Sequence, residues 1–451
     1  MEAPLLTVKD TEQRVEAHAE GSFWSEVKTQ LYLAGPLVAG YLLMNITQMI
    51  SIMFVGHLGK LELASVSIAT SFAAVTGLCV LAGMATGLDT LCGQAFGAGQ
   101  HHLLGVHKHI PVAVLWAYAS KILSWCVQDP EIATAAGSYV RWLIPSLFVF
   151  PWGLGHPAVC WLLVNRLGLG SKGVALANAV SYLVNLSLMA LYIRLSPSCK
   201  ATWTGFSGEA FRGIPGFLKL AVPSAAMVCM EWWSFELLVL LAGLLPSPKL
   251  ETAVLSICLH TITITFASMV PIGLGAALST RVSNEHGAGR PHVAHLATQV
   301  VMFLAFSVCV SEGILMVLAR NLLGYAYSND EDVAKYAARV MPVLAVCILF
   351  DGLQTVLSGV VRGCGRQKLG AVINLVAYYV AGIPAAFFFA FVCHLGGMGL
   401  WFGLLCGLVV QMLLLLSISI CTNWNGEVLR AKDGVFSSNL LVDTWQNMKC
   451  Q

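Results

Sequence analysis

Two carboxylates, Glu231 and Glu236, stand in the stretch from Met227 to Leu245, MVCMEWWSFELLVLLAGLL, which is otherwise apolar enough for lipid. An ionisable group at bilayer depth costs roughly 2.5–3.5 kcal/mol on insertion scales, so such groups are rare and face a water-filled path or a partner. The chemistry open to them is proton exchange. In surroundings of low dielectric a carboxyl group resists ionisation, so it can load a proton from an acidic compartment and release it near neutral pH. Five residues at about 100° each set the two acids on different faces of a helix, so they need not share a role. The packing alternative for Glu231 is an acid bonded to a neighbouring helix. Asp351, in ILFDGLQ, independently places another acid in mid-span and favours the functional reading. Glu236 reads the other way, as a packing or cavity-rim group. Gln354, one turn from Asp351, is placed either to orient that carboxylate or to act as interhelical glue.

The elements that must carry these groups follow from composition. Hydrophobic residues are 57% of the 451-residue chain, charged residues 11%, and the mean hydropathy is +0.76. Such values exclude a soluble domain and predict an all-α polytopic membrane protein. A net charge of +2 without a long basic run implies no nucleic-acid partner. The fourteen cysteines are scattered singly through apolar stretches and read as small packing residues.

About twenty apolar residues cross a bilayer as a helix. By that ruler the clear spans are Leu31 to Val55, Leu63 to Leu88, Gly173 to Ile193, Phe217 to Leu245, Thr252 to Leu278, Ala297 to Leu318, Val340 to Val361, Leu369 to Cys393 and Gly399 to Cys421. Ile110 to Val127 is a short candidate, and Tyr139 to Leu167, broken by three prolines, is one kinked span or two stunted ones. Eleven or twelve spans are expected.

An internal repeat organises them. GLDTLCGQAFGAGQ from Gly87 answers ALSTRVSNEHGAGR from Ala277, pairing Thr90 with Thr280, Gly97 with Gly287 and Gly99 with Gly289, each 190 positions apart. Two six-helix lobes are the natural reading. The first is short of its partner, chiefly after Pro145. The expected division is a tail over 1–30, a truncated first lobe over 31–195, a connection over 196–216, a second lobe over 217–421 and a tail over 422–451, with both tails mobile. Arg194, Lys200, Arg212 and Lys219, then Arg281 and Arg290, then Arg362, Arg366 and Lys368, mark three connections as cytoplasmic. Asp89, before a Gly-rich turn, reads as a helix cap. His101, His102, His107 and His109 lack HExxH spacing and read as a solvated face. They leave a membrane-embedded metalloenzyme as a remote alternative.

LDTLCGQAFGAGQ from Leu88, EWWSFELLVLLAGLL from Glu231, PKLETAVLSICL from Pro248, STRVSNEHGAGRP from Ser279 and LSGVVRGCGRQKLGAVINLVAYY from Leu357 together closely resemble plant-type multidrug and toxic compound extrusion transporters. The resemblance covers Glu26 to Trp424. It implies two six-helix lobes around a V-shaped central cavity and exchange of protons or sodium for organic solutes. It also implies that Glu231 and Asp351, at the positions of a second-lobe acid pair, handle the proton. Relative to that pattern the chain lacks part of its third span and the connection near residues 150–155, and it has His260 where Asn is usual.

On that resemblance Asn45, Trp232, Asn374 and Tyr378 join Glu236 and Gln354 as candidate cavity-lining groups, since aromatic faces bind planar organic cations. Interface anchoring is the plainer reading for the aromatic residues among them. The expected activity is export of cationic or phenolic organic solutes in exchange for protons, at the vacuolar or plasma membrane. No cofactor beyond the proton and no obligate protein partner is expected. A transport-defective or regulatory variant is the alternative that the short first lobe raises.

Overall fold

Several helices run beyond the apolar windows that predict them, as Pro291–Tyr327 and Glu331–Gly363 do, because polar turns at their ends stay helical. The computed structural model describes residues 22–56, 74–98, 156–195, 214–247, 250–251, 254–255, 258, 266–327 and 331–433. The short candidate span from Ile110, the histidine cluster and most of the shortened part of the first lobe lie outside the described residues.

The helices are α1 (Ser22–Gly56), α2 (Cys79–Gly97, following a π turn at Ala74–Leu78), α3 (His156–Trp161), α4 (Gly170–Leu195), α5 (Ile214–Ala242), α6 (Phe266–Ala288), α7 (Pro291–Tyr327), α8 (Glu331–Gly363), α9 (Gln367–Val392, with two π segments) and α10 (Gly396–Cys421). A further helix, α11, covers residues 424–433. No strand occurs among the described residues. Among the described residues seven helices, α1, α2, α5 and α7 to α10, are long and apolar enough to cross a membrane.

Both expected tails are shorter than the sequence suggests. Helix α1 starts at Ser22 because Glu26, 5% exposed, accepts hydrogen bonds of 3.0 and 2.9 Å from Arg281 of α6. Beyond Gly426 the chain stays helical because Glu427, 3% exposed, pairs with Arg366 and Arg430. Asp89 is no cap either: α2 continues two turns past it to Gly97. These pairs gather at the end of the bundle that carries Arg281, Arg290 and Arg366, here called the basic end. Glu26→Ala is expected to remove about 1.5–3 kcal/mol, the range for hydrogen bonds to charged groups, and no more, because Arg281 keeps Glu285 at 2.7 Å. Heating detergent-solubilised protein and following the monodisperse fraction by size exclusion checks this.

Helix α2 of the first lobe lies against α5 and α6 of the second, and small residues let the backbones touch. A Cβ on Gly87 would lie 3.0 Å from the Ala221 Cα, and one on Gly83 2.8 Å from the Ala225 nitrogen. At the basic end the contact is reciprocal. A Cβ on Gly97 would overlap the Asn284 carbonyl oxygen, and one on Gly287 would overlap that of Gln94. Gln94 and Asn284 are, like the two glycines, 190 positions apart. The repeat is therefore a pseudo-two-fold contact in space, with equivalent residues facing each other.

Candidate functional site

At Glu231, helix α5 is joined to α8 through a side chain. There the amide nitrogen of Gln354, one turn after Asp351, donates to Glu231 Oε1 at 3.0 Å and to Asp351 Oδ1 at 3.0 Å. Gln354 is fully buried, and its own oxygen accepts from Ser358 Oγ at 3.3 Å. One NH2 group thus holds two carboxyl groups. Two oxygens on one nitrogen are at most about 6 Å apart. At ~5 Å and an effective dielectric of ~20, two full negative charges would repel by about 3 kcal/mol. Two charges this close would be coupled rather than independent.

Asn374 of α9 is fully buried and is tied on both sides. It donates to the Met227 carbonyl at 2.7 Å and accepts from Gln411 Nε2 at 2.8 Å, joining α5, α9 and α10. Tyr378, 1% exposed, lies within electrostatic reach of Glu231 and Asp351. Neither side chain lines an open surface, which corrects the expectation for both. Their spacing in a run of apolar residues does not distinguish a lining position from a locked one. Both flank the start of a π segment, Leu375–Gly382, a local widening that is frequent at functional sites.

Asn45 of α1 donates to the Tyr41 carbonyl and to Met269 Sδ, each at 3.0 Å, and so touches α6 across the lobe seam. Trp232 is 44% exposed. Its neighbour Trp233 is the residue that crosses the seam, donating from Nε1 to the Val75 carbonyl at 3.1 Å. Glu236 is exposed, on a different face from Glu231 as its spacing requires. The structure thus joins Glu231, Asp351 and Gln354 directly, sets Tyr378 beside them, and leaves Asn45, Trp232, Glu236 and Asn374 outside that contact.

The charge count places Arg362 in a loop, yet it forms the last turn of α8 and is half-buried. Its Nε is buried without a hydrogen-bond partner among the described residues, and the guanidinium lies within electrostatic reach of Glu231, Tyr41 and Asp89. Its carbonyl accepts from Thr90 Oγ1 at 2.9 Å and from Gln367 Nε2 at 3.1 Å, which fixes the turn to the first lobe. A signal was present in the sequence: Asp351, Gln354, Ser358 and Arg362 recur at three- and four-residue steps on one face of α8.

Two half-buried acids that share one amide, a half-buried guanidinium nearby and a seam of small residues suit a proton-linked conformational change. The chain matches the MatE family over residues 36–154 and 223–388. It is 48% identical over 458 residues to Protein DETOXIFICATION 16 of Arabidopsis thaliana, covering 94% of each chain. With Protein DETOXIFICATION 17 of the same plant it shares 46% identity, covering 96% of this chain and 97% of the relative. The crystal structure of the eukaryotic MATE transporter AtDTX14 superposes with a TM-score of 0.84 at 42% identity, over 92% of this chain and 99% of that one. At 14% identity the Vibrio cholerae MATE transporter VcmN in its bent form shares the fold, with a TM-score of 0.73 over 93% of this chain and 99% of that one.

Proposed function

The chain belongs to the MatE family, whose members are multidrug and toxic compound efflux antiporters, and from that premise we propose that protons drive its solute export through Glu231 and Asp351. The observation that carries this reading is the shared Gln354 amide, which holds two carboxyl groups together within an apolar bundle. With the pair charged, the site attracts a cationic organic solute from the cytosol. Protonation from the acidic side neutralises the site and lowers that affinity, so the solute leaves. Deprotonation at the cytosol restores the starting charge. The exchange rests on the different affinities of the two protonation states for the solute.

The protein is an integral membrane transporter of small organic molecules, and the plant relatives are compatible with the vacuolar or the plasma membrane. Cationic or phenolic solutes are the proposed class, with the exposed Trp232 as a stacking surface. The family is one of transporters rather than enzymes, and neither the metalloenzyme nor the transport-defective reading is favoured. The test is uptake of a fluorescent organic cation into vesicles holding the full chain, with an acid-inside pH gradient. Uptake that collapses when an ionophore dissipates the gradient supports the proposal. Uptake that persists unchanged without the gradient, or that follows sodium instead, contradicts it.

A further inference from the structure

Glu312 is an acid in the span Pro291–Leu323 that neither the repeat nor the resemblance singles out. It sits on α7 at the boundary between two surfaces. On one side are Ile314 and Leu315, 56% and 64% exposed. On the other is the face packed on α8, where a Cβ on Gly313 would lie 3.4 Å from the Ala345 carbonyl oxygen. The carboxyl oxygen Oε2 is buried and accepts no hydrogen bond among the described residues. Contrast Glu251, whose carboxylate is bonded by the Tyr336 hydroxyl at 2.9 Å and the Gly397 N–H at 3.0 Å and serves as a strap between helices. An acid held in the membrane with an unused oxygen lacks that structural reason to be there.

Its surroundings lead towards the coupling pair. One turn back on α7, Cys309 is fully buried and packs against Gly352, the residue after Asp351. Cys309 lies within electrostatic reach of both Glu312 and Asp351. Among the described residues, the other helices packed on α7 place no charged group here. From Phe266 to Thr280, α6 has none, and α1 meets α7 at Phe23 against Phe303, nine residues and so about 13 Å along the helix from Glu312. Cys309, one turn from Glu312 on α7, thus packs beside Asp351 on α8, and Asp351 is joined through Gln354 to Glu231 on α5.

We propose that Glu312 is a proton-transfer station that supplies Asp351 from the side of the protein remote from the basic end. This rests on the proton-coupled reading above. The protonated carboxyl of Glu312 loses its O–H proton as one forms on Asp351, with the Cys309 thiol or a water molecule between them. Glu312 then takes a new proton from the medium, so no other reactant is needed. Its role is kinetic, and the solute does not touch it.

The test compares Glu312→Gln and Glu312→Asp with wild type in vesicles holding the full chain, using the same fluorescent cation. Gradient-driven uptake is set beside solute-for-solute exchange at equal pH, which moves no net protons. Glu312→Gln is expected to slow gradient-driven uptake about tenfold or more, leave exchange and solute affinity within about twofold, and be largely rescued by Asp. Wild-type rates in both assays, or equal losses in both, would overturn the proposal in favour of packing. If wild type itself ignores the gradient, the proton-coupled reading falls instead. A second measurement needs no transport: acid-minus-neutral infrared spectra of the Glu231→Gln/Asp351→Asn protein. A carboxyl band that vanishes on adding Glu312→Gln is expected, and no difference between the two spectra overturns the proposal.

Discussion

Asp351→Asn and Glu231→Gln should each reduce pH-gradient-driven transport to background while leaving the protein folded. Each replacement keeps the size of the side chain and an oxygen that can accept the Gln354 hydrogen bond of 3.0 Å, so the contact between α5 and α8 survives. What disappears is the exchangeable proton. An amide mimics the protonated acid, so the variants should resemble the solute-releasing state. Removing one charge about 6 Å from a cation, at an effective dielectric of ~40, weakens the attraction by about 1.4 kcal/mol, or roughly tenfold in affinity. Titrating a fluorescent cation into each purified variant reads the affinity, and vesicle uptake reads the coupling. Wild-type uptake by either variant would remove that acid from the mechanism.

Gly97→Val and Gly287→Val should each abolish transport by a different route, by holding the basic end of the lobe seam apart. Each added side chain meets a backbone carbonyl of the other lobe, of Asn284 or of Gln94, and backbone cannot turn aside as a side chain would. Overpacking of this kind costs about 1–3 kcal/mol, and charged against one state of a two-state equilibrium it shifts populations by roughly 5- to 150-fold. Within each lobe nothing is disturbed, so thermal stability should fall little. The double variant should cost less than the two single variants together, because one opened seam relieves both clashes. Labelling a cysteine placed at Ala98 and quantifying that site by mass spectrometry measures the opening. Faster labelling in both variants is expected, and unchanged labelling with intact transport would mean the seam yields elsewhere.

The reciprocal seam was legible in the sequence, because 190-position pairs such as Gly97 and Gly287 are a one-dimensional trace of a two-fold contact. Glu231 and Asp351 were legible too, since an acid in an apolar span is conspicuous whatever the fold. Their bridge was only half visible: Gln354 beside Asp351 follows from helical periodicity, but the reach of its amide to Glu231, 123 positions away, depends on where the fold sets α5 relative to α8. Asn374 and Tyr378 were misplaced because helical phase tells which residues share a face, not whether another helix covers it. Arg362 was misread because a charge count assigns a span-end arginine to the loop, although the same periodicity that marks Gln354 puts it in line with Asp351. Both tails were overextended for a related reason. Hydropathy sees Glu26 and Glu427 as polar and cannot see the arginines that bury them.

The measurement that bears most directly on coupling through the shared amide is the proton release that accompanies solute binding, followed with a pH indicator in weakly buffered detergent solution. Wild type should release protons as the cation binds, and the Glu231→Gln/Asp351→Asn protein should bind weakly and release none. Release of the same size from the double variant, or binding to wild type with no release at all, would contradict a proton-coupling role for this pair.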